Sequence, residues 1–90
     1  MNKIQNIIID LLKKELNLPK SFVVTNDLNL INDLGMDDLD LPIVLTSLET
    51  YFKITISDED VKDMVTIGDL INICMEKIHE KKNKQLPEEE

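Results

Sequence analysis

The stretch LGMDDLDLPIVLTSLETYF, residues 34–52, changes character near its middle. Its first part contains a glycine and three aspartates, at positions 37, 38 and 40. From Leu41 onward, apolar residues recur at the three- and four-residue spacing of one helix face. This pattern predicts a helix after Asp40, with an apolar face formed by Leu41, Val44, Leu45, Leu48 and Phe52.

Helical patterns also occur on both sides of this stretch. Apolar residues recur with helical spacing from Ile4 to Leu12, and the pattern ends near Pro19. Thr66, followed three residues later by Asp69, resembles a capping box at the start of the most regular apolar stripe. We expect the helices to share a core of Ile7, Ile8, Leu11, Val44, Leu48, Phe52, Ile67, Leu70, Ile71 and Cys74.

The segments between these helices are of different kinds. Residues 19–37 are a long loop whose apolar side chains we expect to pack on the core. Residues 54–56 alternate like a strand, but three residues without a partner predict a packed loop. Ser57 and the acidic residues at 58–60 suit the start of a helix of one or two turns. The sequence therefore predicts an all-α fold, a small four-helix bundle of three long helices and one short helix, with a long structured loop between helices one and two.

Length and charge limit what the protein can do. The 90 residues suffice for one domain, which we expect over residues 1–80, followed by a charged, disordered tail over residues 81–90. The chain has 18 acidic and 10 basic residues, and twelve of the acidic ones lie in residues 28–80 with only three lysines. This distribution argues against nucleic acid and membrane as partners and favours electropositive protein surfaces.

Residues suited to catalysis or metal binding are few. Cys74 and His79 are the single cysteine and the single histidine, so an internal disulfide is impossible and no nucleophile has an evident base. The aspartates at positions 37, 38 and 40 lack the ligand spacing of a calcium-binding EF-hand loop. We therefore expect no catalytic residues and no metal site, and we expect a cytoplasmic monomer that is not an enzyme.

The string TNDLNLINDLGMDDLD, residues 25–40, resembles the acyl carrier protein family, which includes peptidyl and D-alanyl carriers. The likeness continues through Phe52, Asp58 and the start of the last helix at Thr66. The resemblance implies a carrier whose serine, at the start of the second helix, receives a 4'-phosphopantetheine arm from coenzyme A. The thiol of that arm holds acyl groups as thioesters.

The sequence departs from the family at the attachment position. Asp37, Leu39 and Asp40 match the family pattern, but Asp38 occupies the position of the serine. A carboxylate that attacked a phosphoryl group would form a labile acyl phosphate, so we expect no cofactor as the chain stands, and 4'-phosphopantetheine only if position 38 were serine. Ser47 is nine residues away, roughly 13 Å along a helix axis, and is no substitute.

The second helix also differs from the family in its outward face. The resemblance implies partner recognition through Asp37, Leu39, Asp40 and Glu49, whereas uncharged residues occupy most other outward positions. Pro42 suits only the first turn of a helix. Either the helix begins late, with Asp40 or Leu41 as its cap, or its first turn is distorted.

Two functional interpretations follow. In the first, the protein is a divergent acyl carrier protein-like interaction module that lacks the phosphopantetheine-accepting serine. In the alternative, it is a genuine acyl carrier protein of fatty acid, polyketide or related acyl-transfer pathways whose attachment serine at position 38 was replaced. The sequence leaves both open, and it does not identify the partner.

Overall fold

The computed structural model describes the backbone of residues 3–88 and the side chains of residues 3–81. Four helices follow one another along the chain: α1 (Lys3–Glu15), α2 (Asp40–Phe52), α3 (Asp58–Val61) and α4 (Ile67–Glu88). Within these described residues there is no β-strand, and the only ladder contact is an isolated antiparallel bridge between Asn29 and Thr66. The predicted all-α bundle of three long helices and one short helix is confirmed.

The helices enclose one apolar core, in which α1 packs against α2 and α4, and α3 packs against α4. The predicted core is confirmed at Ile8 and at most positions on α2 and α4, while Leu11 and Phe52 are half-buried at its edge. It is wrong at Ile7, which lies outside the buried cluster; Leu12, one turn after Ile8, is fully buried instead. The buried side chains are Ile8, Leu12, Leu30, Leu34, Met36, Val44, Leu48, Ile54, Ile56, Ile67, Leu70, Ile71 and Cys74.

The long segment between α1 and α2 is a packed part of the domain, as predicted. The backbone N–H of Leu30 donates to the carbonyl of Val65 at 3.0 Å, and the N–H of Ile67 donates to the carbonyl of Leu28 at 3.0 Å. These hydrogen bonds join the loop to the chain that enters α4. The loop is thereby fixed on the core by its own buried side chains, which are Leu30, Leu34 and Met36.

Both α3 and α4 begin with reciprocal capping hydrogen bonds. At α3, the Ser57 hydroxyl accepts from the N–H of Asp60 at 3.2 Å, and the Asp60 carboxylate accepts from the N–H of Ser57 at 2.9 Å. At α4, the Thr66 hydroxyl accepts from the N–H of Asp69 at 3.2 Å, and the Asp69 carboxylate accepts from the N–H of Thr66 at 3.0 Å. The capping box predicted at Thr66 is therefore confirmed.

The last helix keeps a helical backbone to Glu88. Lys81 is the last residue with a described side chain, and its Nζ donates to the carbonyl of Phe52 at the end of α2, at 3.3 Å. The sequence predicts a domain at residues 1–80 and a disordered tail at residues 81–90. Most side chains of this tail lie outside the described part, so the division stays a prediction. None of the helices in the described range is long and apolar enough to cross a membrane.

Candidate functional site

The chain enters α2 through a tight turn that contains four of the predicted site residues, Asp37, Asp38, Leu39 and Asp40. The Asp37 carboxylate accepts hydrogen bonds from the backbone N–H of Leu39 at 2.9 Å and of Asp40 at 3.0 Å. The Asp37 carbonyl accepts from the N–H of Leu41 at 3.2 Å, which is the spacing of a helical hydrogen bond. The backbone donors of Asp40 and Leu39 lower the pKa of Asp37. Asp37 therefore caps the approach to α2 as a carboxylate.

Pro42 explains why α2 begins at Asp40 and not directly after Asp37. Proline has no N–H, so position 42 cannot donate to the carbonyl of Asp38, four residues earlier. Leu39 has helical backbone angles, φ −84° and ψ −32°, but its side chain makes no capping hydrogen bond. The first turn is therefore interrupted. The helix thus begins late, as one alternative predicted, but the cap predicted at Asp40 or Leu41 is wrong, because the N-cap residue is Leu39.

The side chains around this turn are largely exposed. Leu39 has 77% of its surface exposed, although it is a large apolar residue. Asp37 and Asp38 are exposed, and Asp40 is half-buried. The approach to α2 thus combines carboxylates with one apolar side chain in contact with solvent.

A cavity of about 230 Å³ opens beside Asp38. The loop before α2 contributes Leu30 and Met36 to its lining, and α3 with the turn after it contributes Val61 and Met64. With Leu41 from α2, the cavity lies where three segments of the chain meet, and its interior is mainly apolar.

The loop side of this cavity is held by a dense set of local hydrogen bonds. The side-chain oxygen of Asn29 accepts from the N–H of Ile31 at 2.9 Å and of Asn32 at 2.8 Å, and the Asp33 carboxylate accepts from the N–H of Asn29 at 2.7 Å. Gly35 has φ +76°, in the left-handed region that favours glycine. This wall was not predicted from the sequence, although asparagine and aspartate at these positions are typical of such side-chain-stabilised turns.

Glu49, another predicted recognition residue, makes an internal contact. Its carboxylate accepts from the backbone N–H of Ile56 at 2.7 Å, and the residue is half-buried. Ile54 and Ile56 are buried on either side of exposed Thr55, which confirms the packed loop. Glu49 thus holds this loop against α2, and its part in partner recognition stays a prediction.

The outward face of α2 is uncharged after its first turn. Ile43, Thr46 and Thr50 are exposed and follow Leu39 at helical spacing, with Ile43 52% exposed. Tyr51 is also exposed and packs its ring edge-to-face on Phe52, with ring centroids 5.0 Å apart. This face therefore offers a partner apolar and hydroxyl groups in place of carboxylates.

Two nucleophilic side chains elsewhere in the described chain, Ser47 and Cys74, are engaged or buried. The Ser47 hydroxyl donates to the Glu15 carboxylate at 2.8 Å and is half-buried. Cys74 is fully buried, and burial raises the pKa of its thiol to about 12, so the reactive thiolate is suppressed at neutral pH. His79 is exposed on α4. Over the described residues, no three His, Cys, Asp or Glu side chains are grouped in a way that could hold a metal ion.

The comparisons with known proteins agree with this architecture. A family model for the phosphopantetheine attachment site matches residues 6–74, which span most of α1, the long loop, α2, α3 and the first eight residues of α4. The chain is 33% identical over 72 residues to an acyl carrier protein of Porphyromonas gingivalis, an alignment that covers 80% of this chain and 91% of that protein. The chain belongs to the acyl carrier protein family.

Two further comparisons support this assignment. An acyl carrier protein of Syntrophobacter fumaroxidans is 32% identical over 65 residues, covering 72% of this chain and 79% of that protein. A solved structure assigned as an acyl carrier protein of Mycobacterium tuberculosis superposes with a TM-score of 0.71 at 30% identity, covering 77% of this chain and 90% of that one. Acyl carrier proteins are carriers and not enzymes, they interact with acyl-transfer enzymes, and 4'-phosphopantetheine is the prosthetic group of the family.

Proposed function

We propose that this chain is an acyl carrier protein-like interaction module that holds no phosphopantetheine arm, with Asp38 at the attachment position of the family. The observation that carries the proposal is the carboxylate of Asp38, exposed at the approach to α2 within the string that resembles the family motif. Among the described residues that line the adjacent cavity, none has a hydroxyl group. The residues present therefore do not fit attachment of the arm.

The chemistry of the linkage supports this proposal. A stable phosphodiester needs an alcohol oxygen as the attacking group, whereas a carboxylate gives an acyl phosphate, a mixed anhydride that water cleaves readily. Ser47 does not replace the missing alcohol, because it lies more than two helical turns from Asp38 and its hydroxyl donates to Glu15. A protein of this sequence would thus act by binding other proteins and not by carrying an acyl group.

The proposed partner binds at the approach to α2. Asp37 and Asp40 provide negative charge there, and Leu39 and Ile43 provide exposed apolar contacts. Charge of this sign attracts electropositive surfaces, such as those of acyl-transfer enzymes or of an adaptor partner. In this proposal the protein works as a cytoplasmic monomer, and Glu49 adds negative charge farther along α2.

A second candidate is a working acyl carrier whose serine at position 38 was replaced. The observation that favours it is the ordered surroundings of position 38: the Asp37 cap is in place, and Leu39 stays exposed. Only the side chain at position 38 would then separate the present chain from a functional carrier. Its native activity would be the transfer of thioester-bound acyl groups between enzymes.

Arm attachment separates the two candidates. The protein is incubated with coenzyme A and a broad-specificity phosphopantetheinyl transferase, and the intact mass is measured by mass spectrometry. We expect no added mass for the present sequence and none for Asp38→Asn, a matched control that lacks a hydroxyl. For a divergent module, Asp38→Ser should be modified slowly or not at all, because Pro42 interrupts the first turn and the α2 face is uncharged.

Each other outcome has a defined meaning. Efficient modification of Asp38→Ser would favour the replaced-serine carrier. Arm attachment to the unaltered chain would overturn the assignment of Asp38 altogether.

A further inference from the structure

We propose that the cavity beside Asp38 receives one large apolar side chain from a partner segment that also carries lysine or arginine next to that side chain. This proposal rests on the proposed function, because it assigns a protein occupant to a cavity that has no tethered group beside it. It specifies the chemistry of the partner segment.

The size of the cavity selects the kind of occupant. Its volume of about 230 Å³ is below the roughly 300–1,000 Å³ of sites that enclose drug-sized ligands. It exceeds the roughly 150 Å³ of an engineered apolar cavity that binds benzene. A single leucine, methionine or aromatic side chain is therefore a suitable occupant.

The lining of the cavity is mainly apolar and is adaptable, although Asn29, Asn32, Asp37 and Asp38 also belong to it. Leu30 and Met36 are almost fully buried at the loop side, and Met64 is half-buried on the other side. Methionine side chains are flexible and polarisable, so they adjust to apolar groups of different shape. The two methionines allow the cavity to close around an inserted side chain without a change of the backbone.

The rim of the cavity includes two large apolar side chains that are exposed to solvent. Ile31 is 66% exposed and Val65 is 51% exposed, and both belong to the lining. Their backbones are held close together, because the N–H of Leu30 donates to the carbonyl of Val65. This rim would surround the stem of the inserted side chain and exclude water from it.

The charge at the mouth selects the residues next to the inserted side chain. Asp37 and Asp38 belong to the lining, Asp33 lies on the same loop, and no lysine is part of the lining. Carboxylates at this position attract a cationic segment and repel the carboxylate of a free fatty acid. The charge therefore favours a basic protein segment over a free acyl chain as the occupant.

The test uses amidated nine-residue peptides of sequence AAKKXKKAA, where X is Leu, Phe or Trp. Binding is measured by methyl NMR of the full chain, and also by fluorescence for the Trp peptide, since the chain itself has no tryptophan. We expect at least one peptide to bind with a Kd below about 1 mM at low salt. The methyl signals of Met36 and Met64 should shift, and the peptide with X as Ala should bind at least about fivefold more weakly.

Matched variants of the protein locate the binding. Val65→Phe fills the mouth of the cavity and should weaken binding by at least about fivefold. Val23→Phe is its control, because Val23 is equally apolar, is 75% exposed and lies outside the cavity. Asp38→Asn should weaken binding about two- to fivefold and reduce its salt dependence, whereas Asp58→Asn, an exposed acid outside the lining, should change it less.

Four results would overturn the proposal: no binding by any of the three peptides, equal binding by the Ala peptide, equal loss with Val65→Phe and Val23→Phe, or stronger shifts of the Met64 methyl with sodium decanoate than with any peptide. The arm-attachment experiment gives an independent result. Peptide binding together with efficient modification of Asp38→Ser would reject the arm-free function and keep the docking site. The reverse pair of results would reject the docking site alone.

Discussion

The starts of α2 and α4 are both capped by an aspartate, but the apolar side chain near the cap is exposed at one start and buried at the other. At α4, Asp69 and Thr66 exchange hydrogen bonds, and the next residue, Ile67, is fully buried. At α2, Asp37 caps the turn in a similar way, but Leu39, two residues on, is 77% exposed. One helix start is sealed into the core, and the other displays its apolar side chain.

This contrast separates a helix start that stabilises the fold from one that we propose as a binding surface. The α4 start is also joined to the long loop, since the N–H of Gly68 donates to the carbonyl of Asn26 at 2.9 Å. The α2 start has an incomplete first turn at Pro42 and a cavity beside it. Apolar surface that is left in water contributes nothing to folding, so its presence at α2 fits a binding role.

The largest effect expected from this contrast is on the free energy of unfolding. Ile67→Ala should lower it by about 2–5 kcal/mol, because a fully buried side chain is removed and a cavity remains. Leu39→Ala should leave it within about 0.5 kcal/mol of the unaltered chain, because the side chain is mostly in water. Urea unfolding followed by circular dichroism measures both. Similar losses for the two variants would contradict the distinction between a sealed and an exposed helix start.

A smaller effect is expected at the glycines that precede α2 and begin α4. Gly35→Ala should lower the free energy of unfolding by about 1–2 kcal/mol, because φ is +76° and the cost is one of backbone conformation, with nothing within 4 Å of the added Cβ. At Gly68 the added Cβ would lie 3.2 Å from the Asn26 carbonyl oxygen, and this crowding opposes the helix propensity of alanine. We therefore expect a smaller loss for Gly68→Ala in the same unfolding assay. A larger loss for Gly68→Ala than for Gly35→Ala would indicate that the contact between the loop and α4 yields less easily than the backbone at position 35.

The helices were predictable from the sequence because their signals are local. Apolar spacing predicts α2, and the pair Thr66 and Asp69 predicts the start of α4. The face of α1 was predicted less well, because Ile7 and Leu12 are adjacent to the same stripe and only packing decides which of them is buried.

The candidate site was only partly predictable. Asp38 and its neighbours are visible in the motif, but the cavity is formed by residues far apart in sequence, such as Ile31 and Val65. Contacts of that kind depend on how the loop is joined to the chain before α4. For the same reason, the internal hydrogen bond of Glu49 could not be anticipated from the outward positions of an ideal helix.

The smallest expected effect is on how the free energy of unfolding depends on pH. It distinguishes the capping carboxylates from carboxylates that cap no helix. Hydrogen bonds from backbone N–H groups lower the pKa values of Asp37, Asp60 and Asp69 in the folded chain, and Lys77, 3.1 Å from Asp60, adds to the effect there. A carboxylate with a lowered folded pKa stabilises the fold above its unfolded pKa, near 3.9. That stability is lost as the pH falls through the lower, folded value.

We therefore expect the free energy of unfolding to decrease as the pH is lowered below about 4. Asp60→Asn should make this decrease less steep, because one group that binds protons differently in the two states is gone. Asp58→Asn is the control, since Asp58 is a neighbouring exposed acid that takes no part in the cap hydrogen bonds of α3.

At the alkaline end, hydrogen bonding to Asp60 raises the pKa of Lys77. The stability that Lys77 contributes should therefore be lost as the pH rises through that raised value, and Asp60→Asn should reduce this loss as well. Urea midpoints measured from pH 2.5 to 11 test both ends; identical slopes for the two variants would mean that capping at α3 does not govern the pH dependence.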